Sequence, residues 1–148
     1  MTELPALPVT FRPNRTRAVL ITVGVAVFAV LTAVASTLPA VSPGERLSFV
    51  FTGLLFLGVL LLLSRPHVTA EEDGVTVVNL TTTRRLEWAE VLHVNLRQGD
   101  PWVSLDLADG TSLPVMGIQP GIAKERAVAD ARALRALAES HGTGETVR

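Results

Sequence analysis

The histidines are the first residues to consider for chemistry, because an imidazole can act as a general base near neutral pH. The chain has His67, His93 and His141. Their surroundings point to an interfacial position after Pro66 for His67, a strand position for His93 and a fraying C-terminal tail for His141. They have neither the HExxH spacing of a zinc protease nor a phosphate-binding glycine loop near them. The absence of cysteine also excludes thiolate metal sites and a cysteine nucleophile.

Acidic residues gather at two predicted turns. Glu71, Glu72 and Asp73 precede a glycine, and Asp106 and Asp109 lie at the predicted Asp109-Gly110 hairpin. Acidic residues at such turns are typical of solvated loops, which we favour over a cation site. We therefore predict no catalytic residue, no cofactor and no metal site, and so no enzyme. A small membrane enzyme stays open only if scattered polar groups meet at the mouth of the folded domain.

Four side chains are the candidates for contact with a partner or a lipid headgroup: Arg84, Arg85, Arg97 and Trp102. Adjacent residues of a strand point to opposite faces, so at most one of the first two arginines shares a patch with Arg97. Basic residues near an anionic bilayer contribute about 1 kcal/mol each, and recognition patches usually gather four or more. Residues 64–148 carry nine Arg and Lys against twelve Asp and Glu, so solvated charges are the favoured interpretation. Trp102 opens a predicted strand, where it is as suited to a contact surface as to the core.

Two long uncharged stretches must position any such site. Residues 18–38 and 47–63 contain no charged side chain, and the first is long enough to cross a hydrocarbon core of about 30 Å. Pro39, Pro43 and Gly44 interrupt them, which predicts an antiparallel helical hairpin over residues 18–63. A hairpin buried in a soluble protein is disfavoured, because the remaining chain is too small to cover two helices that are apolar all round. A cleaved signal peptide ending near Ala33–Ala35 is a second alternative.

Arginines beside the apolar stretches predict their orientation. Three of them lie in residues 1–17, and Arg65, Arg84 and Arg85 follow the second stretch, whereas the connecting loop has only Arg46 beside Glu45. Since Lys and Arg accumulate on the cytoplasmic side, both termini are predicted to be cytoplasmic. The predicted location is the plasma membrane, with two spans.

The chain after Ser64 changes to short alternating segments separated by turns. Segments beginning at His67, Val75, Thr81, His93, Trp102 and Ser112 read as strands, and Asp109-Gly110 is a hairpin signal. Residues 121–140 then show helical periodicity with one apolar face. Six or seven antiparallel strands need a nearly closed sheet to protect their edges, and a terminal helix can cover the open end. We therefore predict a split β-barrel of the pleckstrin-homology (PH) type over residues 64–140, with a flexible tail at 141–148.

The motifs of this segment resemble the bacterial PH domain of the low-molecular-weight protein antigen type. The similarity lies in Gly74 to Asn79, Arg84-Arg85, Trp88 to Val91, Gly99 to Trp102 and Asp109-Gly110, in that order. It covers about residues 65–140. The resemblance implies the PH fold and two membrane spans just before it, and it carries no catalytic residues.

Together these observations predict a non-enzymatic, membrane-anchored PH-like protein that acts as an interaction or assembly module at the cytoplasmic face. Its expected partners are the bilayer, in which it is integral, and a protein of unknown identity; no nucleic acid and no small-molecule substrate are indicated. The alternative function is a sensor of anionic lipid headgroups. Transport is disfavoured, because neither apolar stretch contains an ionisable residue.

Overall fold

A computed structural model describes residues 3–142 of the chain. The chain divides into two compact units, a helical one at Asn14–Arg65 and a second one built from the segments on either side of it. The predicted tail therefore falls mostly on residues 143–148, which lie outside the described residues.

The helical unit is an antiparallel pair, α1 (Asn14–Thr37) and α2 (Pro43–Leu63). Helix α2 begins with a capping box: the Ser42 amide donates to Glu45 Oε2 at 2.8 Å, and the Glu45 amide donates to Ser42 Oγ at 3.3 Å. Both helices are long and apolar enough to span a bilayer, and only 11% of the most apolar window of each is buried. The exposed remainder is apolar, with side chains such as Phe51 at 65% exposure.

The second unit contains two antiparallel sheets. The first has strands β1 (Val9–Phe11), β2 (His67–Ala70), β3 (Gly74–Val78) and β4 (Thr83–Glu87), in that spatial order. The second sheet has β5 (Val91–Asn95), β6 (Val103–Leu107) and β7 (Ser112–Val115), and a short 3-10 helix at Trp88–Glu90 connects the two sheets. Helix α3 (Lys124–Gly142) follows and packs on β5 and the 3-10 helix.

The core lies between the sheets and under α3. Strand β6 shows the alternation that builds it, because Val103, Leu105 and Leu107 are buried while Ser104 and Asp106 are only partly covered. Helix α3 contributes its apolar face through Ala127, Ala131, Leu134, Leu137 and Ala138. The predicted split barrel with a C-terminal helix is therefore confirmed.

Strand β1 is the feature that the sequence analysis did not identify. Its residues precede α1, yet they pair with β2, which follows α2, in the register Val9↔Ala70 and Phe11↔Val68. The Phe11 side chain is 6% exposed and belongs to the barrel core. The seventh strand of the barrel thus comes from the N-terminal segment, and the two helices are an insertion between β1 and β2.

Two polar side chains connect parts of the barrel. Asn79, after β3, donates from Nδ2 to the Pro114 carbonyl at 2.8 Å and accepts the Met116 amide at 3.1 Å, which joins the first sheet to the end of the second. Trp88 donates from Nε1 to the Glu71 carbonyl at 2.9 Å, while its ring is buried. Both contacts satisfy buried polar groups that would otherwise be costly to cover.

Candidate functional site

The paired arginines of β4 lie on opposite faces of the first sheet. Arg84 is opposite Val77 and Arg85 is opposite Thr76, so the alternation of the strand separates the two side chains. Arg85 Nη2 lies 3.4 Å from Glu71 Oε2 in an ion pair. The Arg85 side chain is 65% exposed and the Glu71 side chain is 44% exposed. An ion pair with this exposure contributes little to stability.

Arg84 lies toward the β6–β7 hairpin. The pKa of Asp109 in that hairpin is lowered by hydrogen bonds from the Thr111 hydroxyl and amide, and further by the positive charge of Arg84. Asp109 is fully exposed, so these interactions shape a surface turn. The structure therefore does not bring Arg84 and Arg85 into one patch.

Arg97, by contrast, lines a groove with three further cations. The groove has a volume of about 660 Å³ and lies between the β5–β6 turn and the first half of α3. Its basic side chains are Arg97, Lys124, Arg132 and Arg135. The acidic side chain in its lining is Asp100. Neither Arg84 nor Arg85 lines it, and Trp102, half-buried just before β6, does not line it either.

The β5–β6 turn presents Arg97 through local hydrogen bonds. The Arg97 amide donates to Asp100 Oδ2 at 2.8 Å, and the Asp100 amide donates to the Arg97 carbonyl at 3.1 Å. Gly99 takes a φ of +92° between them, a left-handed conformation that glycine adopts without strain. The Asp100 carboxylate thus accepts a hydrogen bond from the backbone of its own turn. It forms no ion pair with an arginine or lysine of the described residues.

The helix side of the groove is fixed by Arg135. Its guanidinium donates to the Val94 carbonyl of β5 from Nη2 at 2.7 Å and from Nε at 3.2 Å. Lys124, Arg132 and Arg135 fall on one side of α3, because separations of eight and eleven residues place them within an arc of about 80° around the helix. This spacing was available in the sequence, but the prediction treated these residues as solvated and singled out only Arg97.

A second, smaller groove of about 500 Å³ runs between β5 and the last half of α3. Its lining mixes apolar groups with His93, Arg135 and Glu139, and the Trp88 ring at its end stacks on His141 at a centroid distance of 5.3 Å. Among the described residues, its lining contains no serine, threonine or cysteine that a base could activate. Over residues 3–142, moreover, no group of three or more His, Asp and Glu side chains could hold a metal ion.

The acidic residues of α3 lie apart from the basic groove. Partial burial raises the pKa of Asp130, while the nearby Arg126 opposes that shift. Neither residue lines the groove. The part of α3 that lines the groove therefore contributes three basic and no acidic side chains, with Val128 and Ala131 between them.

Comparison with known proteins agrees with this architecture. The bacterial PH domain family matches residues 65–137. The chain is 40% identical over 85 residues to uncharacterized protein Rv1417 of Mycobacterium tuberculosis and, at the same identity, to uncharacterized protein Mb1452 of Mycobacterium bovis. The match covers 57% of this chain, and the chain spans only 54% of the length of these relatives. No solved structure matches significantly. Residues 65–137, which contain strands β2 to β7 and most of helix α3, are therefore a bacterial PH domain, and β1 adds the seventh strand from the N-terminal segment.

Proposed function

We propose that the chain is a non-enzymatic, membrane-anchored PH module that binds a protein partner at the cytoplasmic face of the plasma membrane. The observation that carries the membrane arrangement in this proposal is the β1–β2 pairing. A strand before the two apolar helices pairs with a strand after them, in the register Phe11↔Val68. If the helices cross the bilayer, both ends of the hairpin must then lie on the same side.

The β1–β2 pairing also argues against a cleaved signal peptide. Cleavage near Ala35 would remove β1 and with it Phe11, which is 6% exposed in the barrel core. The first sheet would lose its outer strand, and β2 would become an unprotected edge. Retention of the first helix is therefore the arrangement that leaves the barrel complete.

The surface of the helical unit supports the bilayer as its environment. Large apolar side chains are exposed along both helices, including Leu47 at 72% and Val30 at 60%. An exposed apolar surface of this extent marks a membrane or protein contact site. The arginines before α1 and after α2 then favour the cytoplasmic side for both termini.

Single-cysteine labelling tests the anchoring, because the native chain has no cysteine to interfere. Three exposed positions serve as reporters: Ala6→Cys before the hairpin, Ala40→Cys between its helices and Thr81→Cys in the PH domain. In intact cells, a membrane-impermeant maleimide should label only Ala40→Cys, and the other two should react after permeabilisation. Labelling of the first and third positions on different sides, or release of the protein from membranes by carbonate, would contradict the proposal.

The interaction role requires a separate experiment. The full-length protein is cross-linked in native membranes, purified in mild detergent and compared with a two-span protein that carries the same tag. A recurrent partner enriched only with the PH protein is expected. Identical co-purifying proteins from both samples would refute this part of the proposal.

A further inference from the structure

We propose that the groove between the β5–β6 turn and α3 is a binding site for a phosphate-bearing anion. The inference goes beyond the proposed function, because it names a ligand and a site that anchoring and partner binding do not require. It rests on the distribution of charge over the PH domain. Within residues 64–142, four of the eight Arg and Lys residues line this one groove, whereas ten of the eleven Asp and Glu residues do not.

No ion pair within the described residues neutralises the four basic side chains of the groove. The Asp100 carboxylate that shares the groove accepts a hydrogen bond from the amide of its own turn. All four basic residues are exposed, so their charged groups are accessible to a ligand from solvent. Like charges held in one concave site repel each other, and a bound anion would relieve that repulsion.

The helix adds to this positive potential. Helix α3 begins at Lys124, so its unpaired amide groups and the positive end of its dipole lie beside the groove. A lysine at a helix N-terminus is the unfavourable choice for stability, since acidic residues are preferred there. Glu125 follows it in the first turn but does not line the groove, so Lys124 is the first-turn side chain that faces a ligand there.

The chemistry of the groove favours phosphate over a carboxylate. Two exposed guanidinium groups, Arg97 and Arg132, can each present paired N–H donors, and the lysine adds a point charge. A phosphate monoester or diphosphate offers several acceptor oxygens and more than one negative charge. Such a group could belong to a lipid headgroup or to a soluble molecule, and the structure of the groove suits both sources.

Binding is tested with the full-length protein in phosphatidylcholine nanodiscs, titrated with pyrophosphate and followed by amide NMR. Gly99 in the groove and Gly110 in the β6–β7 hairpin are matched reporters, because both are turn glycines with positive φ. We expect a saturable shift of the Gly99 resonance while Gly110 stays in place. Affinity should fall steeply as salt rises.

Charge variants decide whether the groove is the site. The double change Lys124→Ala with Arg132→Ala should weaken binding about 25-fold, taking about fivefold per cation. Arg126→Ala, on the same helix but outside the groove, should stay within about twofold of the native protein. Unchanged spectral dispersion outside the groove would confirm that the double alanine variant is folded. The charge reversal Lys124→Glu with Arg132→Glu should abolish binding.

A second arm distinguishes the source of the phosphate. In nanodiscs that contain phosphatidic acid, a lipid occupant should shift Gly99 without pyrophosphate, and the double alanine variant should lose that shift. If only soluble pyrophosphate moves Gly99, the ligand is a soluble phosphate. Absence of saturable binding in both arms, or equal weakening by Arg126→Ala, would overturn the proposal and leave the labelling and cross-linking results unaffected.

Discussion

Replacing Phe11 with alanine should unfold the PH domain at a much lower urea concentration, although this residue lies before the helices in sequence. Its side chain is 6% exposed and packs in the core between the two sheets. A buried Phe→Ala change costs about 3–5 kcal/mol. We take about 3 kcal/mol, because β1 has only three residues and lies at the edge of its sheet.

The assay uses tryptophan fluorescence of the full-length protein in detergent. The chain has two tryptophans, Trp88 and Trp102, both outside the helical hairpin, so the signal reports the PH domain alone. With a urea dependence of about 1–1.5 kcal/mol per molar for a domain of this size, the midpoint should fall by about 2–3 M.

Thr10→Ala is the matched control, because Thr10 is the neighbouring residue of β1 and its exposed hydroxyl contacts Thr69 Oγ1 at 3.3 Å. Its midpoint should change by less than about 0.5 M, as expected for a surface position. Equal midpoints for Phe11→Ala and Thr10→Ala would refute the assignment of β1 to the barrel.

Two pairs of glycine substitutions, one pair in each unit, test the packing of the chain. Gly117→Ala should destabilise the barrel by about 1–3 kcal/mol in the same fluorescence assay, because the new Cβ would lie 2.6 Å from a Cα of β2, whereas Gly121→Ala meets no atom within 4 Å and should have little effect. In the hairpin, Gly53→Leu should separate the helices, because even a Cβ there would lie 3.0 Å from the Phe28 ring, while Gly58→Leu should not. Cross-linking of engineered cysteine pairs between α1 and α2 measures this second effect, and equal yields for the two leucine variants would count against the packing described.

Local patterns were sufficient to predict most of the fold. The uncharged stretches predicted both helices, the alternation after Ser64 predicted six strands, and the period of residues 121–140 predicted α3. Strand β1 escaped because it is three residues long and lies between Pro8 and Pro13, and because its partner is more than fifty residues away. Pairing over that distance leaves no trace in a local window of sequence.

The candidate site was predicted only in part, for a similar reason. Arg97 was singled out, but its neighbours in the groove come from α3, where charged residues are the normal covering of a solvated face. Only the packing of α3 against β5, through the contact of Arg135 with the Val94 carbonyl, brings those neighbours beside the β5–β6 turn. The sequence separation between the turn and the helix concealed the cluster.

The insertion of the helices between β1 and β2 has a consequence for how the protein is made. At a synthesis rate of about 5–20 residues per second, β1 emerges from the ribosome several seconds before β2 exists. During that interval Phe11 has no core to enter, and both helices must already have left the ribosome when its partner strand appears. The barrel can therefore close only after both helices have been made, and closure joins the two ends of the hairpin. If the helices cross a bilayer, a chain whose two ends were left on opposite sides could not close the barrel, and β2 would remain an unpaired edge.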